Sequence, residues 1–216
     1  RLRKSLKLYR QRSLLRLSEV VVLMEMVDGP NLEEYQAPDM AHWCVVFDQV
    51  AQGLQVMHQA GFIHADIKPS NILVTGAGQV KIIDFGQSCA EGTVKERIQG
   101  TPDYIAPEQV LRRAITPVTD VFNLGATMYW ILTRQNVDTL IPKGSVGMKK
   151  AATPTNQPPH QLNPAVPPAL SNLVMACVQM DPQDRPPGMR AVIERLELAR
   201  LQAERETLTP EAGDGV

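Results

Sequence analysis

The chain has 216 residues, enough for one sizeable domain with its own core. A hydrophobic fraction of 44% excludes wholesale disorder. A net charge of −1 gives no whole-chain pull toward nucleic acid or an anionic membrane, so neither is expected as a partner.

Three widely spaced cysteines, Cys44, Cys89 and Cys177, show no metal-ligand spacing. They fit a reducing, cytoplasmic compartment better than a disulfide framework. No apolar run approaches the roughly 18 residues of a membrane span, and the basic start is not followed by the apolar stretch of a signal peptide.

In chain order, residues 1–17 are basic, with Leu2, Leu6 and Tyr9 at helical spacing, which predicts a solvated helix face. Val20 to Met24 reads as a buried strand, broken by Asp28-Gly29-Pro30-Asn31. Trp43, Phe47, Val50, Leu54 and Met57 form one apolar stripe and predict a helix over 39–60. Asp39 would cap its start and Gly61 its end.

Short strands follow at Phe62-Ile63, Ile72-Leu73-Val74 and Val80 to Ile83. The last two flank the turn Thr75-Gly76-Ala77-Gly78 and predict a hairpin. Val118 to Thr133 predicts a buried helix, and Pro154 to Pro168 an irregular connector. Further helices are expected over 169–180 and 189–204, separated by a turn at 181–186, with a frayed tail from Thr207.

The chemistry concentrates around the predicted hairpin. Asp66 can orient or deprotonate a hydroxyl, and Lys68 can meet a migrating phosphate. Asn71 offers an amide oxygen and Asp84 a carboxylate, a set that suits Mg²⁺, which takes few protein ligands. Phe85 and Gly86 follow Asp84, and the glycine lets the backbone turn there.

These residues resemble a known family. His64-Ala65-Asp66-Ile67-Lys68-Pro69-Ser70-Asn71 is similar to the protein kinase catalytic loop, Asp84-Phe85-Gly86 to the metal-binding DFG motif, and Ala106-Pro107-Glu108 to the APE motif. The resemblance, to eukaryotic-like serine/threonine kinases including the bacterial Hanks type, covers about residues 18–200.

The resemblance implies an α+β, kinase-like fold: a mainly helical C-terminal lobe, short β-hairpins at the cleft, and a small lobe largely missing. Residues 1–17 would be a small-lobe remnant or linker, and 18–30 the last small-lobe strand and hinge. Residues 31–205 would be the large lobe, and 206–216 a flexible tail.

It also implies ATP and Mg²⁺ as cofactors and a protein Ser/Thr hydroxyl as acceptor. Glu25, Val27 and Leu73 would meet the adenine, and Thr101 would bond Asp66 and Lys68. His64 would pack beneath Phe85. Asp120 would hold the catalytic-loop backbone, and Arg185 would pair with Glu108. The Lys-Pro pair and the APE segment favour a protein acceptor over a small molecule.

Two departures qualify the match. No Gly precedes Gly29 and no Val-Ala-Ile-Lys strand is present, so about half of an ATP site is not in this sequence. With the Arg1 start, this favours a piece of a longer kinase; the alternatives are an inactive scaffold module or a small-molecule phosphotransferase. The second departure is Ala65, where many kinases carry an Arg that receives an activation-segment phosphate. Replacing Ser88 and Thr93 together with Ala should therefore leave phosphotransfer close to wild type, and a collapse of activity in that double variant contradicts the inference.

Overall fold

The computed structural model describes residues 7–13, 16–23, 25–141 and 156–208. Its first elements are two strands, β1 (Lys7–Ser13) and β2 (Arg16–Leu23). They pair antiparallel, with Lys7 opposite Leu23 and an irregularity between Gln11 and Arg12.

The helix expected over 1–17 is thus corrected to a hairpin. Apolar spacing over so short a stretch is weak, and the β-branched run Val20-Val21-Val22 supplies a strand to pair with. Leu2 and Leu6 fall outside the described residues. The expected boundary between residues 17 and 18 falls inside β2.

Helix α1 (Met40–Gln59) starts where Asp39 accepts a hydrogen bond from the His42 N–H at 2.7 Å. It ends before Gly61, whose φ of 80° suits the left-handed region. Its stripe buries Trp43, Phe47, Val50 and Leu54, while Met57 is half-buried. After α1 come β3 (Phe62–Ile63), β4 (Ile72–Val74), β5 (Val80–Ile82) and β6 (Cys89–Ala90). β4 and β5 form the expected hairpin, and β3 pairs antiparallel with β6.

The remaining described elements include five α-helices: α2 (Pro107–Val110), α3 (Pro117–Thr133), α4 (Pro159–Leu162), α5 (Pro168–Cys177) and α6 (Met189–Leu208). Helix α3 is buried along most of its length and packs against α1, α5 and α6. At its closest point to α5 a side chain has no room. A Cβ on Gly125 would lie 2.5 Å from the Cys177 Cβ.

Helix α4 corrects the irregular connector expected over 154–168. Proline is well suited to the first helical position, since its missing N–H would have no partner there, and Pro159 takes that position. Helix α6 runs to Leu208, past the expected start of a flexible tail. Side-chain bonds four residues apart, Arg200 to Glu204 and Gln202 to Glu206, support its last turns. Residues 209–216 lie outside the described residues.

The result is an α+β arrangement of packed helices with small two-stranded antiparallel sheets. No helix among the described residues is long and apolar enough to cross a membrane.

Candidate active site

The loop from His64 to Asn71 joins β3 to β4 and is fixed from below by α3. Asp120, in the first turn of α3, is 0% exposed. Its Oδ1 accepts from the Ala65 N–H at 2.8 Å, and its Oδ2 accepts from the His64 N–H at 2.9 Å. The His58 ring, near the end of α1, donates to the same Oδ2 at 2.8 Å.

Ala65 needs this support. Its φ of 61° is left-handed, a conformation costing a non-glycine residue about 1–2 kcal/mol. Two turns further along α3, the Thr127 hydroxyl reaches the Ile67 carbonyl at 3.4 Å.

The pinned loop presents Asp66 and Lys68 to the segment after the DFG residues. Asp66 Oδ1 accepts from both the Thr101 N–H at 3.0 Å and the Thr101 hydroxyl at 2.9 Å. Lys68 Nζ donates to the same hydroxyl oxygen at 2.9 Å and lies 3.4 Å from Asp66 Oδ2. These three residues therefore form one cluster.

Asn71 is buried, and its amide nitrogen donates to the Asp66 carbonyl at 3.0 Å, which leaves its Oδ1 as the free accepting end. The Ile83 N–H donates to the Asn71 carbonyl at 2.9 Å, tying the loop to the residue before Asp84. Asp84 itself is exposed and left-handed, with φ 62°, and accepts from the Gly86 N–H at 3.2 Å. Phe85 is 51% exposed, and its ring lies 5.4 Å from the His64 ring, centroid to centroid. His64 also donates through Nε2 to the Ile83 carbonyl at 3.2 Å.

Gly29, Pro30 and Asn31, at the end of the expected hinge segment, lie along β4. The Val74 N–H donates to the Pro30 carbonyl at 2.9 Å, and Asn31 bridges to Leu73. A Cβ on Gly29 would sit 2.0 Å from the Val74 carbonyl oxygen, so only glycine fits there. Val27 and Leu73 are half-buried, whereas Glu25 is exposed and 3.5 Å from Lys81 on β5.

A second buried cluster closes the far side. Arg185 is bidentate on Glu108, at 2.8 and 2.9 Å, with both side chains buried. The same guanidinium donates to the carbonyls of Gln179, Val118 and Met180, and its carbon lies 5.0 Å from the Phe122 ring centroid.

Beside it, Gln109 joins three segments. Its Nε2 donates to the Ala65 carbonyl at 2.8 Å and the Gln99 carbonyl at 3.3 Å. Its Oε1 accepts from the Ala106 N–H and the Asn123 amide. Asn123 also donates to the Tyr104 carbonyl at 2.7 Å.

Sequence reasoning missed His58, Gln109 and Asn123. A signal existed for two of them. His58 falls four residues after Leu54, at the edge of the apolar stripe, and Asn123 is a polar residue inside a largely apolar helix. Nothing local marked Gln109.

Burial shifts several groups around the site. It pushes the Tyr104 phenol up, with Glu33 and Asp103 adding to the shift. It pushes the buried thiols of Cys44 and Cys177 up to about 12, so both act as packing groups. It lowers Lys95, against the opposing pull of Cys89, Asp66 and Asp120.

A family model described as protein kinase domain matches residues 8–195. The serine/threonine-protein kinase PknA of Mycobacterium tuberculosis is 33% identical over 172 residues, covering 76% of this chain and 39% of that protein. PknA of Corynebacterium glutamicum is 32% identical over 190 residues, covering 83% of this chain and 39% of the relative. Pkn1 of Myxococcus xanthus is 31% identical over 194 residues, covering 82% and 27%. The chain thus spans two fifths or less of the length of these curated relatives.

Breaking the Glu108–Arg185 pair should destabilise this region strongly. Arg185→Ala leaves a buried carboxylate unpaired and should cost about 3–5 kcal/mol in chemical denaturation. Arg185→Lys should recover only part of that loss, because a lysine cannot make the bidentate contact. A wild-type denaturation midpoint in Arg185→Ala contradicts this.

Proposed function

The chain belongs to the protein kinase family, and on that premise we propose that it is the catalytic part of an ATP-dependent serine/threonine kinase acting on proteins. The observation that carries this reading is the shared Thr101 hydroxyl, bonded at 2.9 Å to both Asp66 and Lys68. It sets a carboxylate and an ammonium side by side at one point of the site, as phosphoryl transfer requires.

In this mechanism an acceptor Ser or Thr hydroxyl approaches Asp66. Asp66 orients it and takes its proton as the oxygen bonds to the γ-phosphorus. The bond from that phosphorus to the β–γ bridging oxygen breaks, and ADP leaves. Lys68 faces the charge on the transferring group. Thr101 holds Asp66 in the required rotamer.

The backbone at Glu25 and Val27, with the Leu73 side chain beneath, would receive the adenine. Asn71 and Asp84 would hold Mg²⁺. Their donor set fits a hard cation, because the Asn71 amide nitrogen is used internally and its oxygen is left to ligate. Bound there, the ion would neutralise charge on the β- and γ-phosphates. His64 supports Phe85, while Asp120, Glu108 and Arg185 fix the frame. The three unpaired cysteines suit a reducing, cytoplasmic setting.

A Gly-rich loop and a Val-Ala-Ile-Lys-like run are not among these 216 residues, so the reading is tested in the full-length protein that carries the chain. With labelled ATP and Mg²⁺, label should pass to Ser and Thr in a mixed protein substrate. Asp84→Ala should lower the rate by at least about 100-fold, the scale of losing one electrostatic stabiliser of the transition state. Label on tyrosine or only on a small-molecule acceptor, or an undiminished rate in Asp84→Ala, overturns the reading.

A further inference from the structure

The resemblance places an Arg at position 65, reaching toward a phosphate on the activation segment. Here position 65 carries a methyl group, packed with Ile63, Ile115 and the half-buried Cys89. The catalytic loop therefore offers no cation at this point.

A cation arrives from the opposite side. Lys95 reaches back along the activation segment, and its Nζ donates to the Gln87 carbonyl at 2.6 Å and lies 3.4 Å from the Gln87 side-chain oxygen. Gln87 follows directly on the DFG residues. The ammonium thus staples the first half of the segment to its root. The carboxylates of Asp66 and Asp120 lie within its electrostatic reach.

The second half is held by an uncharged group. The buried Gln109 amide grips the Gln99 carbonyl and the Ala65 carbonyl together. It therefore joins the segment to the residue that lacks the Arg. Between the two tethers, backbone bonds stitch the segment to its surroundings. Glu91 N–H donates to the Gly61 carbonyl, and Gly92 and Thr93 exchange bonds with Ile115.

The hydroxyls that would accept a phosphate are already donors. Thr93 Oγ1 donates to the Ala90 carbonyl at 2.6 Å, and Ser88 Oγ to the His64 carbonyl at 3.4 Å.

We propose that Lys95, inside the activation segment, and Gln109, on α2, are positioning residues that tether that segment, so that the site assembles with no phosphate on it. The proposal rests on the kinase reading of the site. It adds to that reading which residues replace the phosphate and the Arg.

The test uses the full-length protein, produced together with a protein phosphatase and shown by mass spectrometry to carry no phosphate in residues 84–108. Peptide phosphorylation and hydrogen exchange are measured for wild type, Lys95→Met, Lys95→Arg and Gln109→Glu. Gln109→Glu keeps the acceptor for Ala106 and Asn123 but loses the donor to Ala65 and Gln99.

The unphosphorylated wild type should be active. Lys95→Met and Gln109→Glu should each lower kcat/KM for peptide by about tenfold or more, the scale of one lost hydrogen bond to a charged or buried group, with KM for ATP within about twofold. Exchange should accelerate within residues 87–100 and stay unchanged in α1 and α3. Lys95→Arg should restore both readouts.

Wild-type kcat/KM and exchange in Lys95→Met, or an unphosphorylated wild type that gains activity only after phosphorylation of the segment, overturns the proposal. If no variant transfers phosphate, the kinase reading fails. The exchange pattern then still decides whether Lys95 and Gln109 tether the segment.

Discussion

A single buried carboxylate organises this molecule. Asp120 gathers the His64 and Ala65 amides and the His58 ring around two oxygens with no solvent contact. Hydrogen bonds to such a group are stronger than those between neutral partners, and leaving its donors unpaired in the interior is costly. That gain holds Ala65 in a left-handed conformation an alanine would otherwise avoid. The turn at Ala65 sets the direction of the next side chain, Asp66, and points the Ala65 carbonyl at Gln109. The turn at Ala65 is thus held from the helix below, while Asn71 braces the far end of the loop from within.

The same logic extends outward. α3 provides Asp120, Asn123 and Thr127, spaced three and four residues apart; Asp120 and Thr127 meet the His64–Asn71 loop, and Asn123 meets the Tyr104 carbonyl. Around them, the packing of α1, α3, α5 and α6 makes the platform rigid. Close contact at Gly125 keeps α5 near α3. The Glu108–Arg185 pair then locks α2 to the turn before α6, and with it the far end of the activation segment. With Ala65 in place of an Arg, Lys95 inside that segment and Gln109 on α2 are the groups proposed to order it.

Much of this was legible in the sequence because it rests on local patterns. The α1 stripe, Asp39, Gly61 and the β4–β5 turn are local signals, and all formed where expected. The proximity of Asp66, Lys68 and Thr101 followed only from the family resemblance, since Thr101 is remote in sequence. The β1–β2 hairpin was missed because Leu14-Leu15 carries no Gly, Asn or Asp turn signal and a short helical spacing competed with it. Helix α4 was missed because prolines read as breakers even where they can start a helix. Gln109 was illegible because its partners Ala65 and Asn123 are fixed by tertiary contact, and Lys95 because its partner is set by the path of an irregular segment.

The Asp120 carboxylate fixes the turn at Ala65, and residue-resolved hydrogen exchange of the native chain tests this. The His64 and Ala65 amides should open only with global unfolding, with an exchange free energy within about 1 kcal/mol of the stability from denaturation. Exchange of those two amides through a low-energy local opening, as fast as in the Thr75–Gly78 turn, would contradict it.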